Sequence, residues 1–464
     1  MLACVPLWSQ SDNTNSRPPM AASTSADTGA TPASNPASNN DTTPTYSDDR
    51  MQTPPVVSGQ TYPTALGSSE RSNYLRGGLS FTSAYTDNAL GGVSGTPVSD
   101  VSYSVYPTIA LDETTSRMHA ELSYAPGFTF YQRLSSRNEA DQNASINFQY
   151  RLSPHVTFSA QDGFQKSSNV FNQPDLASAG AVSGGAQVPN FSVIAPIADR
   201  LSNSGNVGLG YQFARNEMVG ASGTFSYLHY PDPTQVPGLY DSSSEGGSAF
   251  YSFRISRKHY LGATYQYQRL VSNPTTGLAE TQTHAALFFY TVYPTTHFSI
   301  SFFGGPQYSN TIEPPFPPQQ PNPFEKREWT PAAGGSMSWQ GRLTAFSLNY
   351  AHIISGGGGL ISAVKMDSAS ASLRQQITKT LSGSVNGSYT QNNLLSSYVA
   401  GMNNGHSVSG TASLQQMLGE HFSVQLGYSR IHQSYSGVPV LALNPDTNRE
   451  FVSISYHFSR PLGR

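Results

Sequence analysis

The chain has little charge for its length. Of its 464 residues, 11% are charged, well below the roughly 25% of ordinary soluble proteins. The net charge is −3 and the basic residues form no cluster, so nothing indicates nucleic acid as a partner. This composition is not typical of a soluble helical protein.

Cysteine and long apolar runs are also scarce. Cys4 is the single cysteine, which excludes an intrachain disulfide. No uninterrupted apolar run reaches the ~18 residues that a transmembrane helix needs. Membrane crossing by strands is still allowed, because such strands are short and alternate.

The amino-terminal part differs in composition from the rest. Residues 1–10 are apolar and resemble the remnant of a signal peptide that begins upstream. Residues 11–72 are mostly Ser, Thr, Asn, Pro, Ala and Asp, too poor in large apolar groups to offset the chain entropy of folding. We therefore expect residues 11–72 to be a disordered tail.

From residue 73 onward the sequence alternates between apolar and polar residues. In Leu381–Tyr389 the odd positions are apolar or glycine and the even positions are Ser or Asn. The same period of two recurs in Ile146–Tyr150, Val207–Phe213 and Phe422–Tyr428. A period of two predicts strands with two chemically different faces.

The predicted connections alternate between short and long. Short turns such as Ser153-Pro154 and Pro294-Thr295 are separated by long polar segments such as 166–202, 310–330 and 355–363. Short turns on one side and long loops on the other are typical of membrane barrels. We predict an all-β fold, with one large antiparallel transmembrane β-barrel of about 18 strands over residues 73–464. Sixteen strands result if one early hairpin is misread.

The kinds of residue on the two faces favour a membrane over a soluble β-sandwich. The apolar face is rich in Tyr and Phe (26 and 23 in the chain), and many lie near the strand ends, as in aromatic girdles at lipid interfaces. The opposite face carries Ser, Thr, Asn, Gln and Gly, which suit the lining of a water-filled lumen. In hydrocarbon, strands can hydrogen-bond all of their backbone N–H and C=O groups only by closing into a barrel.

The segment Glu450–Phe458 resembles the last strand of bacterial outer-membrane β-barrel proteins of the porin type. Its alternate residues are apolar and end on an aromatic, namely Val452, Ile454, Tyr456 and Phe458. The resemblance implies a place in the bacterial outer membrane, with lipid and the barrel assembly machinery as partners. It leaves the oligomeric state open, with a homotrimer as one candidate.

Charged residues at lumen positions are the first candidate site. The arginines with lumen parity are Arg76, Arg133, Arg151, Arg254 and Arg374. Either they form an electrostatic constriction that favours anions, or they are scattered residues at strand ends with no common role. His119 and Glu121 share one strand face and are either an acid–base pair or two lumen residues in water.

The run His284–Tyr293 contains Phe288, Phe289 and Tyr290 in succession. At least one of these aromatics points inward on any choice of face. It is either a platform on which a sugar ring stacks or packing against an inserted loop or a subunit.

We find no nucleophile elbow, Walker loop or HExxH motif, so we predict no enzymatic activity, metal or cofactor. The leading hypothesis is a pore for passive diffusion of small polar solutes, since a barrel of this size leaves an aqueous channel. The alternatives are a closed barrel with a structural or adhesive role at the cell surface, a barrel enzyme, and a secreted soluble adhesin.

Overall fold

The computed structural model describes most of the chain after residue 72. The described residues are Met51, Phe171 and the ranges 73–91, 96–169, 197–234, 238–274, 277–295, 297–315, 322–395, 404–436 and 446–461. The predicted apolar start and the predicted disordered tail lie outside the described residues, except for Met51.

Eighteen antiparallel strands form one closed sheet, which confirms the predicted fold class and strand number. They are β1 Asn73–Thr86, β2 Asp100–Thr114, β3 Met118–Tyr131, β4 Glu139–Arg151, β5 Val156–Asn169, β6 Ile197–Ala214, β7 Glu217–His229, β8 Ser242–Ser256, β9 His259–Ser272, β10 Ala279–Thr295, β11 Phe298–Glu313, β12 Phe324–Gln340, β13 Thr344–Gly357, β14 Ile361–Gln376, β15 Leu381–Leu394, β16 Asn404–Leu418, β17 Phe422–Tyr435 and β18 Asp446–Pro461. A short 3-10 helix, Ser135–Arg137, lies between β3 and β4. No helix in the described part of the chain is long and apolar enough to cross a bilayer.

The sheet closes because β1 pairs with both β2 and β18. Each strand otherwise pairs with its neighbours in sequence, so the chain winds once around the ring. Short turns join each even-numbered strand to the next odd-numbered one, as from β2 to β3 and from β4 to β5. We call the end with these turns the turn end and the opposite end the loop end; β1 starts and β18 finishes at the turn end.

Side-chain alternation gives the ring two different surfaces. On β1, Leu79 and Phe81 are exposed on the outer face, whereas Ser80 and Thr82 are buried on the inner face. Large apolar side chains are exposed on the outer face all around the ring, for example Leu209, Tyr265 and Leu426. Ser, Thr, Asn and Gln occupy most inner positions, as the sequence predicts.

The wall is incomplete between two strands at the loop end. β12 and β13 are paired only from Ala333 to Gln340 on β12. Above this point β12 remains paired with β11 as far as Phe324, and β13 remains paired with β14 as far as Gly357. We call this separation the seam.

The prediction of a long polar loop at 355–363 is wrong. β13 extends to Gly357 and β14 begins at Ile361, so the two strands form a tight hairpin. Gly358 and Gly359 have positive φ (66° and 79°), a conformation that glycine adopts without strain. The run of glycines therefore makes a turn between two strands.

Candidate functional site

Hydroxyl side chains cover much of the inner face and bond to one another across neighbouring strands. Ser80 and Ser455 join β1 to β18 with an oxygen–oxygen distance of 2.9 Å, and Thr291 and Ser301 join β10 to β11 at 3.0 Å. Cross-strand hydroxyl pairs of this kind stabilise a sheet. They also give the interior a wall that is polar but uncharged.

A cluster of ionisable groups lies on the inner face of β1, β2 and β3 at the turn end. Arg76 Nη2 is 2.8 Å from Asp112 Oδ2, and His119 Nδ1 is 3.9 Å from Asp112 Oδ1. Thr114 Oγ1 lies 2.8 Å from the same histidine nitrogen. The structure thus brings Arg76 and His119 together through Asp112, with Glu121 two residues further along the same face of β3.

Three further predicted arginines lie on inner-face positions near the turn end. Arg151 is the last residue of β4, and Arg374 is near the end of β14. Arg254 is buried on β8, where its Nη2 donates to the Arg215 carbonyl (2.7 Å) and its Nε to Asn216 Oδ1 (3.1 Å). Arg254 therefore fixes the β6–β7 turn.

Arg133 is placed differently from the prediction. β3 ends at Tyr131, so the strand parity that assigned Arg133 to the lumen does not extend to it. Its side chain is exposed in the β3–β4 loop at the loop end. Its backbone N–H donates to Asp100 Oδ1 at 3.0 Å, and this carboxylate holds the loop in place.

The inner face at the turn end carries an excess of positive charge. Among the described residues of that half, the inner-face arginines are Arg76, Arg151, Arg254 and Arg374 and the inner-face acids are Asp112 and Glu121. The Arg76–Asp112 pair neutralises one of these arginines. Arg151 and Arg374 lie on the same inner face nearby.

The successive aromatics of β10 do not all face inward. Phe289 is on the inner face and is 1% exposed, whereas Phe288 (66%) and Tyr290 (36%) are on the outer face. Alternation continues through this run, because Ala285 and Leu287 share the inner face with Phe289. Of the three candidate inward aromatics, Phe289 is the one on the inner face, and Phe288 and Tyr290 face outward.

Large apolar side chains cover the inner face between β7 and β12, where the sequence pattern predicts polar residues. They pack as one cluster that also includes Ala285 and Ala332, and we call it the inner apolar wall: Met218, Phe250, Tyr260, Leu287, Phe289 and Phe303. Tyr293 packs against it. An apolar surface of this size inside a polar lumen is unfavourable when it faces water.

Glycines on neighbouring strands let the rings of this wall lie flat. A Cβ at Gly262 would be 2.2 Å from Phe289 Cζ, and one at Gly220 would be 2.3 Å from a carbon of the Phe250 ring. Gly334 leaves the same room for Phe303. The wall is therefore a smooth surface of rings seated against the backbone.

The β13–β14 hairpin bends into the barrel at the loop end. Residues 353–359 are all buried, although a hairpin at a barrel rim normally has one exposed face. Tyr230 OH donates to the Gly358 carbonyl (2.7 Å), and Tyr240 N–H donates to the Gly359 carbonyl (2.9 Å). These partners belong to the β7–β8 loop on the far side of the seam.

Further contacts hold the hairpin between opposing walls. Ile354 and Ala363 pack with Leu270 of β9 and Leu395, which follows β15. Leu360 and Ile361 pack on Tyr435 of β17. Because β9 and β17 are on different sides of the ring, the hairpin narrows the lumen at the loop end.

Two more residues narrow the interior near the loop end. Phe171, which follows β5, is buried against Arg449 of β18, whose guanidinium carbon is 5.3 Å from the ring centroid. The same guanidinium carbon is 6.0 Å from the centroid of Phe451. The contact places Phe171 over the inner face of β18.

Sequence reasoning missed the inner apolar wall, the inward hairpin and the Arg449 stack. A signal for the wall was present, since Leu287, Phe289 and Phe303 all have lumen parity. Nothing local marks the hairpin, because its partners Tyr230 and Tyr240 are more than a hundred residues away. Within the described residues, no group of His, Cys, Asp and Glu side chains could hold a metal ion.

Comparison with known proteins gives distant structural likenesses. No family model matches the chain, and no curated protein matches it. OccAB4 of Acinetobacter baumannii is 9% identical, with 84% of this chain and 98% of that chain covered and a TM-score of 0.42. The outer membrane protein opdK of Pseudomonas aeruginosa is 10% identical (83% and 99% covered, TM-score 0.38).

A third solved structure is OccK2 (OpdF) of Pseudomonas aeruginosa in complex with glucuronate. It is 9% identical to this chain, with 83% of this chain and 98% of that chain covered and a TM-score of 0.40. Likenesses this distant carry no argument about what passes through or binds to this barrel.

Proposed function

We propose that the protein is a channel of the bacterial outer membrane through which small polar solutes diffuse passively. The observation that carries this proposal is the closed ring of 18 strands with a polar inner face. Rings of about 8 strands are filled by their own side chains, whereas rings of 16–18 leave an aqueous passage.

The outer surface supports the membrane location. Exposed Phe, Tyr, Leu, Ile and Val side chains surround the ring, and a surface of this kind is favourable in contact with hydrocarbon. A closed ring pairs the backbone groups that face lipid. In this orientation the turn end is periplasmic and the loop end is extracellular, as in other outer-membrane barrels.

The charges at the turn end support a weak preference for anions. Four arginines, Arg76, Arg151, Arg254 and Arg374, lie on this part of the inner face against two acids, Asp112 and Glu121. A unit charge changes the energy of an ion ~10 Å away in water by about 0.4 kcal/mol, or roughly twofold in local concentration. The preference is therefore modest and weakens as salt is added.

The inward hairpin and the Phe171–Arg449 stack support a narrow channel. Both lie at the loop end and reduce the cross-section there. We therefore propose a low conductance for a ring of this size and a cut-off at small solutes.

The last strand supports recognition by the barrel assembly machinery. Val452, Ile454, Tyr456 and Phe458 all lie exposed on the outer face of β18. They form one apolar row along the strand that pairs with β1 to close the ring.

The deciding experiment is single-channel recording of the refolded protein in a planar lipid bilayer. We expect discrete conductance steps and, in a salt gradient, a small reversal potential whose sign indicates selectivity for anions. Heat-modifiable gel mobility of the same sample shows whether the barrel is folded. Folded protein that gives no conductance would contradict the channel and favour a structural or adhesive surface protein.

A further inference from the structure

One residue of the amino-terminal part lies inside the barrel. Met51 is 1% exposed and belongs to the same packed cluster as the inner apolar wall. Its backbone N–H donates to Oε1 of Gln212, an inner-face residue near the turn end of β6, at 3.1 Å. Met51 is therefore held both by its side chain and by its backbone.

On the amino-terminal side of Met51 the sequence offers few apolar groups. Between Met20 and Met51 the single large apolar side chain is Tyr46, and the remaining residues are Ser, Thr, Asn, Pro, Ala, Gly, Asp and Arg. Methionine is unbranched and flexible, and its sulfur packs favourably against aromatic rings. Phe250, Phe289 and Phe303 supply such rings.

We propose that the inner apolar wall is a docking surface for the chain's own amino-terminal segment, anchored at Met51. The wall is thereby covered by protein and withheld from solutes. The docked segment explains why large apolar side chains are tolerated inside an otherwise polar lumen, because it keeps water from them. The proposal does not depend on conductance.

The length of the chain allows this arrangement. β1 begins at Asn73, and β10, near the centre of the wall, is nine strands from β1 in a ring of 18. Strands ~4.8 Å apart and tilted by about 40° give such a ring a diameter on the order of 35 Å. The 22 residue steps from Met51 to Asn73 reach up to about 70 Å, so Met51 can lie on the wall opposite β1.

Cross-linking tests the location of Met51. In full-length protein with Cys4→Ser, the pair Met51→Cys and Gln212→Cys is treated with a short bis-maleimide after refolding into vesicles. The matched control is Met51→Cys with Gln425→Cys, an inner-face glutamine on β17. We expect cross-linking with position 212 and a loss of it with position 425; equal cross-linking at both positions would overturn the proposal.

Limited proteolysis tests the docking itself. Trypsin cleaves after arginine, and Arg50 directly precedes Met51, so the rate of cleavage there reports whether the segment is docked. We expect cleavage after Arg50 in the folded, unchanged protein to be several-fold slower than in the folded Met51→Asp and Leu287→Asn variants. Equal rates in the unchanged protein and in both variants would show the wall to be open to a solute.

Discussion

At the scale of single residues, glycine decides where aromatic rings can lie inside this barrel. Gly262 is opposite Phe289, and a Cβ there would meet both the ring (2.2 Å) and the Tyr251 carbonyl (2.3 Å). The carbonyl belongs to the paired strand β8 and cannot move without disturbing the sheet. The ring position and the glycine are therefore coupled.

We expect Gly262→Ala to lower the free energy of unfolding by about 1–3 kcal/mol, the range for overpacking a well-filled site. Urea unfolding of the refolded protein in vesicles measures this change. Gly223→Ala is the matched control, because its nearest neighbour, the Gly246 carbonyl, is 3.9 Å from the added Cβ. Equal losses in both variants would show that the Phe289 contact is not the cause.

The inner-face arginines at the turn end favour anions in the proposed channel. We expect the double variant Arg151→Glu and Arg374→Glu to lose the anion preference, because both side chains lie on the inner face at the turn end. Reversal potentials in a salt gradient measure it, and the effect is largest at low salt. Arg133→Glu, in the exposed β3–β4 loop, is the control and leaves the reversal potential unchanged.

A reversal potential that stays the same in the double variant would contradict this role for Arg151 and Arg374. The arginines would then act as strand-end residues, as Arg254 does through its bonds to the β6–β7 turn.

At the scale of elements, the β13–β14 hairpin turns into the barrel, where residues 353–359 are all buried. Its tip is tied to Tyr230 and Tyr240, and Lys365 of β14 forms an ion pair with Glu328 of β12. Glu328 also pairs with Lys326, whose Nζ donates to the Leu395 carbonyl (2.9 Å). These bonds join β12, β14 and the end of β15 across the seam.

We expect replacement of residues 355–364 by a two-residue Asn-Gly turn, which keeps Ile354 paired with Lys365, to raise single-channel conductance, because the hairpin tip no longer crosses the lumen. The control replaces residues 314–323, which join the paired Glu313 and Phe324, by the same turn. Heat-modifiable mobility shows that both variants fold. Unchanged conductance in the folded hairpin variant would place the narrowest point elsewhere, with the Phe171–Arg449 stack as the next candidate.

The outer face of the last strand, β18, carries the residues proposed to act in assembly. Phe458 lies over Gly77 of β1, where a Cβ would be 2.4 Å from Phe458 Cζ. We expect Tyr456→Ala with Phe458→Ala to remove the acceleration of folding that the barrel assembly machinery gives in reconstituted vesicles. Gel mobility with time measures folding, and Ser455→Ala on the inner face is the control.

Folding of the same variants in detergent without the machinery separates recognition from stability. If Tyr456→Ala with Phe458→Ala slows folding equally with and without the machinery, these residues contribute to ring closure and not to recognition.

At the scale of the whole molecule, the sequence predicts the ring but not what enters it. Alternation such as Leu79, Ser80, Phe81 and Thr82 is local, so each strand and its two faces can be predicted without knowing its neighbours. Short turns and long loops then give the strand count and the orientation of the strands.

The interior contents depend on long-range contacts instead. Gly358 meets Tyr230 and Met51 meets Gln212, pairs far apart in sequence that no local pattern connects. The charged cluster was half predictable, because parity placed Arg76, His119 and Glu121 inside, whereas the bond between Arg76 and Asp112 requires the register of β1 with β2. Arg133 was misplaced because the end of β3 is not visible in the alternation.

The seam makes the barrel mechanically uneven. β12 holds β13 over eight paired residues, Ala333–Gln340, whereas it holds β11 over sixteen. When a cantilever pulls the chain from its carboxyl end, hairpins leave the membrane one after another, and the rupture force of each step reflects how much ladder must break. The step that parts β13 from β12 should therefore be the weakest in the force trace.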